Sequence, residues 1–471
     1  MQGHRLRGLR DGTSGLVAMP ASISKAPRPQ RMAWPRLLDN TRLGGRAAAP
    51  TDGGRSEYQK DHDRLIFSEP FRKLSRKTQV HPLPENDRVH NRLTHTLEVS
   101  CVGRSLGELT GKRLAAAGEL PPHVAAADVA AVVQAACLAH DIGNPPFGHA
   151  GEYAVRDWYS RRPIGFFSGC TPAAVQDFKT FEGNAQGFRL LTSLVDTVGL
   201  RLTYATLASF IKYPWSSVHA PRHRPGKFNY FDSERAIFTE ICGKLGIVEH
   251  EAGVFARHPL VYLVEAADDI CYAIIDIEDG IEMGILPPAD VEALLCDLLT
   301  APLQAEFRGA ASSLTDNQRI RWLRGKAVDL LIEDCVQSFF SHAEAILCGR
   351  FASTLVEAGA PRVAQGIRAA KQMARDRIFT HSRKMEIEIG AYAAIDTLLD
   401  ACSDSVRELL EVGNRDKLSY RASRVLTLMG EHAPPPGTPI EESYRLMNDF
   451  VSGLTDNRAT RLAQAIRGAG G

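Results

Sequence analysis

The chain has 471 residues, 56 basic against 55 acidic side chains and a formal net charge of +1. That balance excludes a protein-wide pull toward nucleic acid or an anionic membrane, so any anion site must be a local cluster. Nine cysteines, none spaced Cys-x-x-Cys, exclude a Cys₄ zinc site and read as the reduced thiols of a cytoplasmic protein, and no uncharged apolar stretch is long enough to cross a membrane.

Residues 1–35 are rich in Arg, Pro and Ser, with Asp11 as the only acid. The composition is like that of a transit peptide, but the reading adopted is a disordered extension or an upstream start, with Met32 as an alternative start. Gly and Pro make residues 41–54 a loop. From about residue 57 the pattern is helical. Leu93, Leu97, Cys101 and Gly103–Leu106 keep a 3.6-residue period. Pro121–His140 is expected as an Ala-rich helix, opened by Pro-Pro and stopped by Gly143-Asn-Pro-Pro. Residues 219–231 read as a basic, aromatic, irregular loop. A strongly apolar helix is expected from about Leu260 to Met283. Amphipathic helices follow over 290–430, then a Pro-rich break at 433–439 and a final helix pair. Strand alternation is scarce and no repeat is found. The class is all-α, with a core at 36–290 and a C-terminal helical region at 291–471.

Four residues have the chemistry to hold one divalent metal: His95, the adjacent pair His140-Asp141 at a helix end, and Asp268. Neighbours on a helix point about 100° apart, but at a helix end both can converge on an ion beyond it. Two imidazoles and two carboxylates suit Mn²⁺ or Mg²⁺, with Fe²⁺, Co²⁺ or Zn²⁺ as further fits. Asp268, Tyr272 and Asp276 recur every four residues and share one face of an apolar helix. Carboxylates there are costly to bury unless something polar meets them. His149 and Glu152 lie three apart at an expected helix start, the spacing of a carboxylate-oriented general acid or base. Arg92, Lys212 and Lys227 flank these motifs and suit a polyphosphate. Gln79 can bond a hydroxyl or a base edge.

Six ordered motifs carry a resemblance. Residues 55–68 (Arg-Ser-Glu-Tyr-Gln-Lys-Asp-His-Asp-Arg-Leu-Ile-Phe-Ser), 71–80 (Phe-Arg-Lys-Leu-Ser-Arg-Lys-Thr-Gln-Val) and 91–99 (Asn-Arg-Leu-Thr-His-Thr-Leu-Glu-Val) are the first three. Residues 140–149 (His-Asp-Ile-Gly-Asn-Pro-Pro-Phe-Gly-His), 181–186 (Phe-Glu-Gly-Asn-Ala-Gln) and 265–272 (Glu-Ala-Ala-Asp-Asp-Ile-Cys-Tyr) complete the set. From about residue 36 onward the chain resembles the bacterial deoxyguanosinetriphosphate triphosphohydrolases of the HD-domain phosphohydrolase superfamily. The resemblance implies an HD-domain helical bundle and hydrolysis of dGTP or another dNTP to deoxynucleoside and intact triphosphate. It implies metal ligands at His95, His140, Asp141 and Asp268 and a catalytic pair at His149 and Glu152. Sugar contacts fall at Gln79, Tyr272 and Asp276, and phosphate contacts at Arg92, Lys212 and Lys227. It also implies a homo-oligomer, often a hexamer, and an effector such as single-stranded DNA or a second nucleotide. The alternatives are an HD phosphohydrolase acting on another nucleotide, and a nucleotide- or DNA-binding sensor that has kept the pocket.

Overall fold

The computed structural model describes residues 30–45, 54–79, 88–193 and 199–468. Most of the basic leader and of the 41–54 loop therefore lie outside the described residues. Twenty α-helices and a single two-stranded ribbon (Glu249–Glu251 with Val254–Phe255) stand among those described, so the class is all-α as expected. The helices that build the site are α1 (Arg92–Ala116), α2 (Ala126–Ala139), α3 (His149–Ser160), α4 (Gly183–Thr192), α5 (Val261–Glu282), α6 (Ser382–Val412), α7 (Ile440–Ser452) and α8 (Asp456–Ile466). No helix among the described residues is long and apolar enough to cross a membrane.

Helix α1 begins with a reciprocal cap. The Asn91 side chain accepts from the Thr94 N–H at 3.0 Å, and Thr94 Oγ1 accepts from the Asn91 N–H at 3.0 Å. Such a cap stabilises a helix start by roughly 1 kcal/mol, and it fixes Arg92 and His95 on the first turn and a half. Helix α2 runs antiparallel to α1 at very short range. A Cβ on Gly107 would sit 2.7 Å from Ala130 Cα, and one on Gly111 would sit 2.8 Å from Ala126 Cα. Only glycine lets the two backbones approach this closely.

Helix α2 starts at Ala126, not at the proline pair. Asp128 accepts from the Ala125 N–H at 2.9 Å and so caps the helix there, while Pro121 and Pro122 fall in the preceding turn. The other end falls as expected. Ala139 is the last helical residue, and His140 and Asp141 step off into the Gly143-Asn-Pro-Pro turn. Helix α5 matches its expectation within a residue at each end, and the 3.6-residue pattern from Leu93 is α1.

Residues from Arg31 onward form one compact unit. Two apolar clusters fill it. The first surrounds α2 and α5 and runs from Met32 to Ile378, drawing on residues either side of 290. Met32 and Trp34 are buried in it, 1% and 2% exposed, so the packed chain reaches back into the basic leader. The second cluster joins α3 to α6, α7 and α8 around Trp158, Tyr159 and Tyr444. Phe166 stacks on Tyr444 at 4.7 Å, and the Tyr159 hydroxyl donates to Asn448 at 2.9 Å. The C-terminal helices are thus packed directly on the helix that begins with His149.

Candidate active site

Helices of both clusters wall one cavity of about 500 Å³. Gln79, Arg92, His95, His140, Asp141, His149, Glu152, Lys212, Lys227, Asp268 and Tyr272 all line it. Eleven of the twelve residues singled out from the sequence thus come together. The twelfth, Asp276, lies behind the wall, 1% exposed, with neither carboxylate oxygen hydrogen-bonded among the described residues.

On one wall, His95, His140 and Asp268 offer ligand atoms that all lie within 4.8 Å of one another. Asp268 Oδ1 is 3.3 Å from His95 Nε2 and 3.7 Å from His140 Nε2. His140 Nδ1 bonds to the Cys137 carbonyl at 2.6 Å, inside the last turn of α2. That bond puts the proton on Nδ1 and leaves Nε2 as a free donor pair facing Asp268, the usual outer-shell arrangement of a ligating histidine. Asp141 Oδ2 stands 3.6 Å from His140 Nε2 and is turned toward Arg92, whose Nη1 donates to it at 2.7 Å. Asn144 Nδ2 donates to the other Asp141 oxygen. Burial works against a charge on Asp141, but Arg92, His140 and His95 outweigh it and hold its carboxyl down at about 2. The same opposition, won by His95, His140 and Lys212, holds Asp268 well below the ordinary carboxylate range. Two carboxylates kept ionised beside two imidazoles, one with its tautomer fixed, suit a divalent cation.

In a second part of the same lining, His149 opens α3 and is the exposed member of a buried group. Its Nδ1 bonds Glu152 Oε2 at 3.0 Å, the side chains being 76% and 3% exposed. The other Glu152 oxygen accepts from the Gly183 N–H at 2.7 Å, at the start of α4. Burial pushes the Glu152 carboxyl up, but the bond to His149 and the charges of Lys227 and Arg156 bring it down to about 2. Glu182 is fully buried behind it, accepting from Lys227 at 2.8 Å and from Arg156 at 3.0 Å. Burial and the neighbouring Glu152 push Glu182 upward.

The cations are less free than their sequence positions suggest. Lys227 is shared with Glu182, and Lys212 lies 3.3 Å from Glu265, which raises its pKa despite its burial. Arg92 spends one nitrogen on Asp141, and its buried Nε has no partner among the described residues. Gln79 Oε1 is also buried without a partner. Glu182, Asn184, Glu265 and Asn144 line the site or hold its members, and no periodicity singled them out. Phe379, Lys384 and Glu388 reach the cavity from the segment that starts α6. A π-helical turn at Ala374–Ile378 precedes Phe379, whose ring lies 5.9 Å from that of Tyr272. Asp269, next to Asp268, pairs with Lys371 at 2.6 Å.

The model of the HD domain family matches residues 92–167, which hold His95, His140-Asp141, His149 and Glu152. A deoxyguanosinetriphosphate triphosphohydrolase-like protein of Pseudomonas aeruginosa (strain LESB58) is 44% identical over 443 residues, covering 93% of this chain and 99% of the relative. The chain belongs to the deoxyguanosinetriphosphate triphosphohydrolase-like family. A relative of that description from Synechocystis sp. (strain ATCC 27184 / PCC 6803 / Kazusa) is 38% identical over 93% of this chain and 99% of its own. A deoxyguanosinetriphosphate triphosphohydrolase of Serratia proteamaculans (strain 568) is 30% identical, covering 85% of this chain and 91% of the relative. The family is one of HD-domain nucleotide triphosphohydrolases, and HD domains depend on metal. In this member the cluster of His95, His140 and Asp268 is where such an ion fits.

Proposed function

We propose that this protein hydrolyses dGTP, and with lower discrimination other dNTPs, to the deoxynucleoside and inorganic triphosphate. One observation carries the reading. A carboxylate-oriented histidine and a metal-ligand cluster line one cavity together with arginine and lysine side chains. That is the equipment for moving a proton beside a phosphorus centre whose charge must be neutralised. The dGTPase names of the relatives support a guanine deoxynucleotide as substrate.

His95, His140, Asp141 and Asp268 would hold one divalent ion, which when bound supplies charge neutralisation at the phosphate and an acidified water. Arg92 and Lys212 would hold the non-bridging oxygens of the triphosphate. In the reaction water oxygen bonds to the α-phosphorus, and the bond from that phosphorus to the 5′ oxygen of deoxyribose breaks. His149 moves a proton at Nε2, either away from the water or onto the departing 5′ oxygen. Glu152 keeps Nδ1 engaged and the ring in place throughout. Gln79 and Tyr272 would meet the sugar, whereas Asp276, behind the wall, does not reach the cavity. Gln79 Oε1, buried and without a partner among the described residues, is an acceptor in need of a hydroxyl donor.

The test is product analysis. Protein is incubated with each dNTP and with GTP, with Mn²⁺ or Mg²⁺, and products are resolved by chromatography. Deoxyguanosine and triphosphate in equal amounts is the expected result. Release of orthophosphate or pyrophosphate would reassign the chain to another phosphohydrolase reaction, and nucleotide binding without turnover would make it a sensor.

A further inference from the structure

We infer that Asp456, the first residue of α8 and far outside the matched HD domain, is a positioning residue for His149. The inference rests on the reading of His149 as the proton-transfer group. Asp456 is 3% exposed and spends both carboxylate oxygens on two segments that line the catalytic cavity. Oδ1 accepts from the Phe147 N–H at 2.9 Å. Oδ2 accepts from the Thr78 N–H at 2.8 Å and from the Thr78 hydroxyl at 2.5 Å. Phe147 stands two residues before His149, and Thr78 stands one residue before Gln79.

The turn that Asp456 holds needs holding. Phe147 has φ of +65°, and Gly148 after it has φ of +58°. A bulky side chain at positive φ is sparsely populated and costs energy unless its surroundings impose it. These two residues set the direction in which α3 begins, and His149 is its first residue. They also meet the metal wall, since a Cβ on Gly148 would lie 2.7 Å from Arg92 Nη2. A shift of the turn therefore moves His149 against Glu152.

A second bond from the same C-terminal connection runs parallel. Lys77, 3% exposed, donates from Nζ to the Ser452 carbonyl at 2.8 Å and to the Asn144 carbonyl at 2.5 Å. Ser452 closes α7, a few residues before Asp456, and Asn144 sits in the same Pro-Pro turn as Phe147. The joint between α7 and α8 thus ties the 144–148 turn to the 77–79 segment through one carbonyl and one carboxylate. Neither group reaches the cavity, so neither touches substrate.

The experiment is a double-mutant cycle on the full chain with dGTP and Mn²⁺, reading kcat, KM and thermal midpoint. Asp456→Ala should lower kcat by about 10²-fold, the scale of an ångström of misplacement, with KM changed less than about threefold. Asp456→Asn keeps an acceptor for Phe147 and loses one for the Thr78 N–H, so its loss should be intermediate. In a His149→Ala background, Asp456→Ala should add less than about threefold, because it acts through a side chain already gone. A residue that only supports folding would cost the same factor in both backgrounds, and that result overturns the inference. Wild-type kcat in Asp456→Ala overturns it too. If Asp456→Ala does not fold, the cycle is run with Asp456→Asn and Thr78→Val. Full activity of His149→Ala alone sinks the reading of the site and takes this inference with it, whereas an inactive His149→Ala beside a fully active Asp456→Ala sinks the inference alone.

Discussion

The two walls of the cavity hold similar residues in opposite states. On the metal wall, Asp268 and Asp141 are kept ionised, and the groups that keep them so are the imidazoles of His95 and His140, with Arg92 beside Asp141 and Lys212 acting on Asp268. The imidazoles are also the groups that would ligate an ion as neutral donors. With both imidazoles neutral, that wall has acceptors to offer a cation. On the proton-transfer wall, Glu152 and Glu182 are matched by Lys227 and Arg156, and only His149 projects. The first wall is built to receive a cation, while the second is already balanced and is built to hold one ring still. Loss of metal should therefore disable the first wall and leave the second intact, and loss of Glu152 should do the reverse.

The sharpest break in that contrast is Asp268→Ala. It should abolish metal binding, measured by calorimetry with Mn²⁺, and reduce triphosphate release to background. Chelation of the wild-type protein should have the same effect, reversed by adding Mn²⁺. His149→Ala should keep Mn²⁺ and nucleotide binding but lower kcat by about 10²–10⁴-fold, the usual worth of a positioned acid or base. Should metal binding fall in His149→Ala, the two walls are not separate. Glu152→Gln keeps the shape of the wall and loses the negative charge. Its kcat should fall by less, on the order of 10-fold to 10²-fold, with Mn²⁺ affinity unchanged.

Much of the metal wall was legible in the sequence, and little of what fixes the other wall was. His140-Asp141 stands between an apolar helical pattern and a Gly-Asn-Pro-Pro stop, and Asp268 interrupts the most apolar helix, so both were chemical anomalies within a regular pattern. His149 and Glu152 showed through their spacing. Glu182 lay inside a quoted motif, but nothing in its spacing said that it would be buried against Lys227. Asp456 gave no sign at all, because its partners are Thr78 and Phe147, more than 300 residues away. A carboxylate in a first helical turn usually serves only its own helix start. The start of α2 was misplaced for a related reason: a local side-chain bond from Asp128 to Ala125 outweighed the preference of proline for a first turn.

Acid tests the Glu152 contribution by stability. The folded Glu152 carboxyl lies at about 2 against an ordinary value of 4.5. Its contribution is therefore complete above pH 4.5 and is lost as pH falls toward 2. Wild type should exceed Glu152→Gln in thermal midpoint at neutral pH, and the gap should close over that window. A gap that widened on acidification would mean that Glu152 is protonated in the folded protein and that His149 lacks its charged partner.

The smallest effect on activity should come from a strain placed in the scaffold away from the site. Gly107→Ala places a methyl 2.7 Å from Ala130 Cα and 3.1 Å from the Val129 carbonyl oxygen. Backbone cannot swing aside as a side chain can, so α1 and α2 must separate. Overpacking of this kind costs about 1–3 kcal/mol, which thermal denaturation would show as a lowered midpoint. Gly107 lies twelve residues from His95, about 18 Å along the helix, so kcat at a permissive temperature should stay within about threefold of wild type. Gly103 is the instructive neighbour. Its missing Cβ faces the Cys137 side chain, and the Cys137 carbonyl holds His140 Nδ1. Gly103→Ala should therefore cost Mn²⁺ affinity as well as stability. If both alanines lowered only the midpoint, the tautomer of His140 would not depend on how closely α2 is packed against α1.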